Sequence, residues 1–388
     1  MYLWEHKEWP KYKWDEQKIN ELLVQVRYRQ GRLLGMADTL GFDVKSPVVL
    51  DTMTSDVIKS SEIEGITLNA DDVRSSLAWQ LGIDRVGVPS SDRYIEGVVD
   101  VMFDAVYHYD DPLTQERLFR WHSALFPNLN RLAHITVGGW RKGDMQVVSG
   151  QYGKEKVHYE APPSKDVPRM IEDMLLWINT ADLDSVLKAA IAHLWFVSIH
   201  PFSDGNGRLA RTITDMLLAK SDATPYRFYS MSIQIALARK EYYGILEQTQ
   251  KGTLNITAWL FWFLGRMMIA VDTAMKTIER TLNKASFWES HRHVSMNERQ
   301  TMMVNMLWDG FDGKLTSSKW AKKTNAPPTP PCVTCKILSQ KAFLSAPTRA
   351  AVAPGTTWRN SYMMERSAKA DAPFFMASLW VLCELIII

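Results

Sequence analysis

The chain has 388 residues, 46% hydrophobic and 23% charged, which suits a folded protein of two or three domains rather than a disordered one. Its formal net charge of +2 sets up no overall field that would commit it to nucleic acid or an anionic membrane. The Trp-, Lys- and Glu-rich opening lacks the apolar core of a secretory signal, and no run of roughly 18 apolar residues predicts a membrane span.

The only three cysteines, Cys332, Cys335 and Cys383, lie near the C-terminal end, so no disulfide or thiolate metal site is available to the rest of the chain. A cytoplasmic protein without a membrane partner is expected. The Cys332/Cys335 pair has no second pair and sits in a Pro-rich run, which argues against a zinc or redox role.

Most of the chain reads as helix. Residues 1–85 are expected to form an N-terminal helical domain. Within it Asn69, followed by Asp71 and Asp72, reads as a helix start, because a capping side chain and early acids suit the helix dipole. The Gly/Pro/Ser-rich stretch 82–92 is the best candidate boundary.

Residues 86–285 are expected to be the main body. One hairpin interrupts the helices: β-rich arms at 145–148 and 156–159 flank a loop with Gly150 and Gly153. Pro162 and Pro163 end it, and a helix restarts near Val167. Residues 286–323 predict a helix, a Gly-containing turn and a second helix capped near Thr316 or Ser317. Beyond Lys323 prolines accumulate, acids thin out and periodicity is lost.

The chemistry concentrates in residues 200–211, HPFSDGNGRLAR. Gly205, Asn206 and Gly207 offer consecutive backbone N–H groups able to cradle phosphate oxygens. Leu209, Ile213, Met216 and Leu217 recur at helical spacing, which puts that nest at a helix N-terminus, where the dipole favours an anion. Arg208 and Arg211 lie three apart and can both reach a polyphosphate. Asp204 supplies a hard oxygen suited to Mg2+, and the ordinary pKa of His200 suits proton abstraction near neutrality. An ordinary helix end and turn is the bland alternative, and eight polar and glycine positions in this order make it improbable.

This segment resembles the Fic family motif H-x-F-x-[D/E]-G-N-G-R-x-x-R and matches it at every fixed position. The resemblance runs from roughly residue 92 to 280, and the N-terminal region is similar to the small domain that often precedes the motif in bacterial relatives. It implies a mainly α fold: a helical core with a β-hairpin flap. It also implies transfer of AMP from ATP to a Ser, Thr or Tyr hydroxyl of a target protein. His200 would then be the base, Asp204 the Mg2+ ligand and Phe202 a buried anchor. Gly205, Asn206, Gly207 and Arg208 would bind phosphates, with Arg211 on the γ-phosphate. Tyr242 and Tyr243 fall where relatives place aromatics near the nucleotide, and core packing explains them equally well.

Ser60-Ser-Glu-Ile-Glu64-Gly65 matches the family's inhibitory motif [S/T]-x-x-x-E-[G/N]. Glu64 would pair with Arg211 in a bidentate contact and deny it to ATP, with Ser60 one turn earlier steadying the helix and Gly65 ending it. Ser61 and Glu64 also fit a capping box, a reading weakened by Gly65. The same site could instead remove AMP or transfer another nucleotide, and a homodimer is plausible by analogy with relatives.

Relatives of this layout commonly end in a winged helix, of which residues 286–323 would be a remnant. A one-base insertion or deletion near Lys323 is expected to have put 324–388 out of frame. A shifted reading of 325–342 gives a peptide with helical patterning, like the missing recognition helix. A DNA-binding regulator is the competing class, and without that helix specific DNA binding is not expected.

Overall fold

The computed structural model describes residues 1–83, 92–127, 135–149 and 156–309. The boundary loop at 84–91, the hairpin tip, the second predicted C-terminal helix, the cysteines and the tail lie outside these residues. Among the described residues the fold is mainly α, with one two-stranded antiparallel sheet. Residues Met1–Glu279 form one compact unit, so the segments expected as N-terminal and catalytic domains pack together. A second unit begins at Arg280.

The centre of the first unit is α7 (Ser185–Ile199), an apolar helix buried on nearly every side, as a core helix must be. It packs against α8 (Asn206–Asp222) and α6 (Val167–Thr180), the helix expected near Val167. On the other side of α8 lie α4 (Arg93–Tyr107) and α5 (Gln115–Leu125).

Helix α1 (Glu16–Asp38) is tied to this core through Arg27, which pairs with Asp184 at 2.9 Å. The long α2 (Phe42–Ile63) lies against α3 (Ala70–Gln80) and the short α9 (Met231–Leu237). The side chain of Asn69 caps α3 by accepting from Asp71 N and Asp72 N, as its sequence position predicts. Buried Asp56 seats α2 by accepting a short hydrogen bond from Ser230 Oγ at the start of α9.

α2 ends in a tight, fully bonded stop. Gly65 adopts φ +79°, its N–H donates to Glu62 O at 2.9 Å, and Ile66 N donates to Ser61 O at 3.0 Å. This six-to-one and five-to-two pattern needs a residue free to enter the left-handed region, which glycine supplies. Ser61 is therefore inside the last turn of the helix, which excludes the capping-box alternative.

The hairpin forms as expected from β1 (Gln146–Ser149) and β2 (Lys156–Glu160). Val147 faces Tyr159 and Val148 faces Val157, so His158 is the extra residue of a bulge. Tyr159 is buried and donates its hydroxyl to Ser198 O at 2.6 Å, while His158 Nδ1 meets Glu247 Oε2 of α10 (Arg239–Gln250) at 2.7 Å. Two neighbouring residues of β2 thus moor the hairpin to two different helices.

Helix α11 (Thr257–Ser290) is long and apolar enough, by length and composition, to cross a membrane, a test that a buried core helix also meets. Trp259, Leu260, Phe263, Leu264, Met267 and Val271 recur at helical spacing and are buried, so half of its most apolar stretch serves the core. In the second unit α12 (Glu298–Asp309) buries Met303 and Val304 among Phe287, Trp288 and Trp308.

Candidate active site

Pro201 cannot continue α7, and the helix ends with His200 in the left-handed region at φ 52°. The chain then turns through Phe202, fully buried, and Asn206. Asn206 Nδ2 donates to Phe202 O at 2.8 Å and its Oδ1 accepts from Phe202 N at 2.9 Å. Its side chain is thus consumed in holding the loop, and only its backbone can serve an anion. Gly205, at φ +81°, reverses the chain into α8. The amides of the first turn of α8 have no carbonyl within their own helix to bond, which leaves them and the dipole facing the site.

His200 is half-buried, and its Nδ1 lies 3.2 Å from Val197 O. A carbonyl can only accept, so Nδ1 carries the proton and Nε2 is left as the basic nitrogen. Burial lowers the imidazole pKa, as does the Arg141 guanidinium, against opposing contributions from Val197 O, Glu64 and Asp204.

Arg211 is 2% exposed. Its Nε donates to Ser60 Oγ at 2.9 Å, and its Nη2 donates to Ser60 O and to Glu64 Oε1, both at 2.8 Å. The expected bidentate carboxylate pair is therefore divided between two residues: Glu64 contributes one oxygen and Ser60 two, because the helix presents the serine's carbonyl and hydroxyl to the same guanidinium. Buried Arg211 Nη1 has no hydrogen-bond partner among the described residues. A buried, unused donor of this kind calls for an acceptor that is not part of the chain.

Glu64 also lies over the nest. A Cβ added to Gly207 would sit 2.3 Å from Glu64 Oε1 and 3.2 Å from Arg211 Nη1. The carboxylate thus lies against the first turn of α8, between Gly207 and Arg211. Arg208, nearly buried, donates from Nη1 to Tyr94 OH at 2.8 Å and lies over the Phe126 ring. Asp204 is 58% exposed, and its Oδ1 accepts from Gly205 N at 2.6 Å.

The two tyrosines separate. Tyr242 is buried, its hydroxyl 2.8 Å from His193 Nε2 and its ring packed against Trp259 and Trp262. The structure places it in the core, which corrects its assignment to the nucleotide: its ring offers no open face to a base. Tyr243 is 42% exposed, with the Arg239 guanidinium over its ring and Tyr242 beside it.

Sequence reasoning missed three residues that shape this site. His122 accepts from Gly138 N at Nδ1 and donates from Nε2 to Asp204 O, and it stacks on Phe202 at 4.1 Å. Burial lowers its pKa to about 4, so it stays neutral. Tyr94 and Arg141 reach the motif from 114 and 59 residues away, respectively. No spacing signal marks any of the three; only the fold brings them in.

Residues 112–218 match the Fic/DOC family model, and residues 2–83 match a domain of unknown function, DUF4172. The chain therefore carries a Fic/DOC domain, joined to a DUF4172 domain that contains Ser60 and Glu64.

A probable protein adenylyltransferase of Aquifex aeolicus is 25% identical over 220 residues, 56% of this chain and 61% of that one. A protein adenylyltransferase of Caenorhabditis elegans is 35% identical over 92 residues, 23% of this chain and 17% of that one. The chain thus spans less than two thirds of either relative. A Fic family protein from Desulfovibrio desulfuricans G20 shares the fold with a TM-score of 0.51 at 21% identity, over 79% of this chain and 84% of that one.

Proposed function

We propose that this chain is a protein adenylyltransferase: it transfers AMP from ATP to a Ser, Thr or Tyr hydroxyl of a target protein and is held inactive by Glu64. The observation that carries this reading is the Glu64 carboxylate, seated over Gly207 and 2.8 Å from Arg211, in the place an anionic phosphate would take.

In the reaction, His200 Nε2 takes the proton of the acceptor hydroxyl. The hydroxyl oxygen bonds to the α-phosphorus as the bond to the bridging oxygen breaks, and pyrophosphate leaves. The α8 amides, Arg208 and Arg211 hold the phosphates, so the chain works mainly by positioning and electrostatics. The target segment would add as a strand to the hairpin, where Val148 and Val157 present exposed side chains.

The exposed Asp204 carboxylate fits Mg2+, which binds through one or two carboxylates together with substrate phosphates. When bound, the ion offsets phosphate charge.

The test is labelling of protein with α-labelled ATP and Mg2+ by wild type, Glu64→Gly and Glu64→Gly/His200→Ala. Strong labelling confined to the single variant is expected, with a gain on the order of one to several decades over wild type. Equal labelling by the His200 variant would refute the assigned base. Absence of labelling in all three, with ATP bound, would shift the reading to removal of AMP or to another nucleotide.

A further inference from the structure

Arg141 is 3% exposed, and its guanidinium reaches three backbone carbonyls from three separate segments. Nε donates to His200 O at 2.8 Å, at the end of α7. Nη1 donates to Gly143 O at 2.8 Å, on the way into the hairpin, and Nη2 makes a short hydrogen bond to Pro162 O, on the way out. Its own backbone N–H donates to Pro201 O at 2.9 Å.

We propose that Arg141 is a positioning residue that locks the base His200 and both roots of the target-docking hairpin into one frame. The proposal rests on the transferase reading for the roles of base and hairpin, and on geometry alone for the linkage.

Three features support a dedicated role over an ordinary buried arginine. First, the acceptors are carbonyls at positions that must be fixed: that of His200, whose N–H still bonds back into α7 while its left-handed backbone turns the carbonyl out of the helix, and those at the two ends of a hairpin that β1 and β2 alone would leave marginal. Second, the planar fork of the guanidinium spans three acceptors at once, which a lysine cannot do. Third, among the described residues no ion pair includes Arg141: Asp144 acts on it only through space, and its charge still acts on the imidazole.

The groups acting on that imidazole are Arg141, which opposes its protonation, and Glu64, Asp204 and the Val197 carbonyl, which favour it. A mere brace would fix the hairpin without affecting the titration of His200. A charged clamp affects both.

The experiment uses the full chain in the Glu64→Gly background with Arg141→Met and Arg141→Lys. NMR follows the His200 titration, its resonance assigned by loss in His200→Ala, and hydrogen exchange follows the amides of 146–149 and 156–160. Arg141→Met is expected to raise the His200 midpoint and to speed hairpin exchange at least tenfold. Arg141→Lys is expected to keep the midpoint and still speed exchange, since its ammonium cannot hold all three carbonyls. A folded Arg141→Met variant with neither change would overturn the proposal. If that variant does not fold, Arg141→Lys decides: hairpin exchange equal to the parent's overturns the linkage, and faster exchange confined to the hairpin supports it. Both readouts are independent of AMP transfer, so their success with no labelling by any variant would fault the transferase reading and leave the clamp standing.

Discussion

Glu64 stands so close to Gly207 that a Cβ on the glycine would come within 2.3 Å of its Oε1. The glycine therefore leaves room for the Glu64 carboxylate, and on the proposed function it would leave the same room for a phosphate. Gly207→Ala should accordingly displace Glu64 without relieving inhibition, because the new methyl group occupies the shared seat. Calorimetry should show ATP affinity falling at least tenfold even in the Glu64→Gly background; unchanged affinity would mean that phosphate does not use this turn.

Ser60→Ala should release activity only in part. It removes the hydroxyl from Arg211 Nε but leaves the Ser60 carbonyl and Glu64 on Nη2. A hydrogen bond to a charged group contributes roughly 1.5–3 kcal/mol, and the better helix propensity of alanine steadies α2 in its docked place and offsets some of that loss. Labelling about tenfold above wild type and below Glu64→Gly is expected. A rate equal to that of Glu64→Gly would make Ser60 the principal lock.

The pH dependence of transfer follows from the environment of His200. Burial, with Arg141 beside it, lowers the imidazole pKa. A lowered value keeps Nε2 unprotonated, and so able to act as base, at pH values where an ordinary histidine is charged. The acid limb of the Glu64→Gly rate profile should therefore lie below pH 6.5, the ordinary histidine value. A limb at or above it would mean that the titrating base is not this buried imidazole.

Acid should destabilise the fold through two other histidines. Burial lowers His122 to about 4 and His193 to about 3, from an ordinary value of 6.5. Between those values the unfolded chain binds protons that the folded chain refuses, so stability is full above pH 6.5 and falls as the pH drops toward 4. His122 alone corresponds to roughly 3 kcal/mol, a sizeable part of a domain's stability of about 5–15 kcal/mol, and His193 acts in the same direction. Thermal midpoints should fall steeply across this window, and His122→Gln should flatten the slope. An unchanged slope would show that His122 is not a source of it.

Much of the site was legible because its signals are local. The nest, the α8 periodicity, the Gly65 stop and the hairpin arms each depend on residues a few positions apart, and each formed where the spacing placed it. The helix end that carries Ser60 and Glu64 was legible for the same reason, but the sharing of Arg211 was not: a motif shows that the two lie on one face, not which atoms the guanidinium will choose. His122, Tyr94 and Arg141 left no trace because their roles arise from tertiary contact. Tyr242 was ambiguous for a physical reason, since a tyrosine beside a buried histidine and one beside a nucleotide carry the same letter. The apolar length of α11 was missed because Gly265, Arg266 and Asp272 break it into runs too short to announce a span.

The amide of Asn206, bonded to both backbone groups of Phe202, closes a small ring whose circumference is the chain between the two residues. One residue more or fewer would carry the amide past its partners and strand two polar groups in a dry interior. The segment from His200 into α8 is therefore a cassette of fixed gauge: Ser203, partly exposed, can change its side chain, but the number of residues cannot change without shifting His200 against the start of α8.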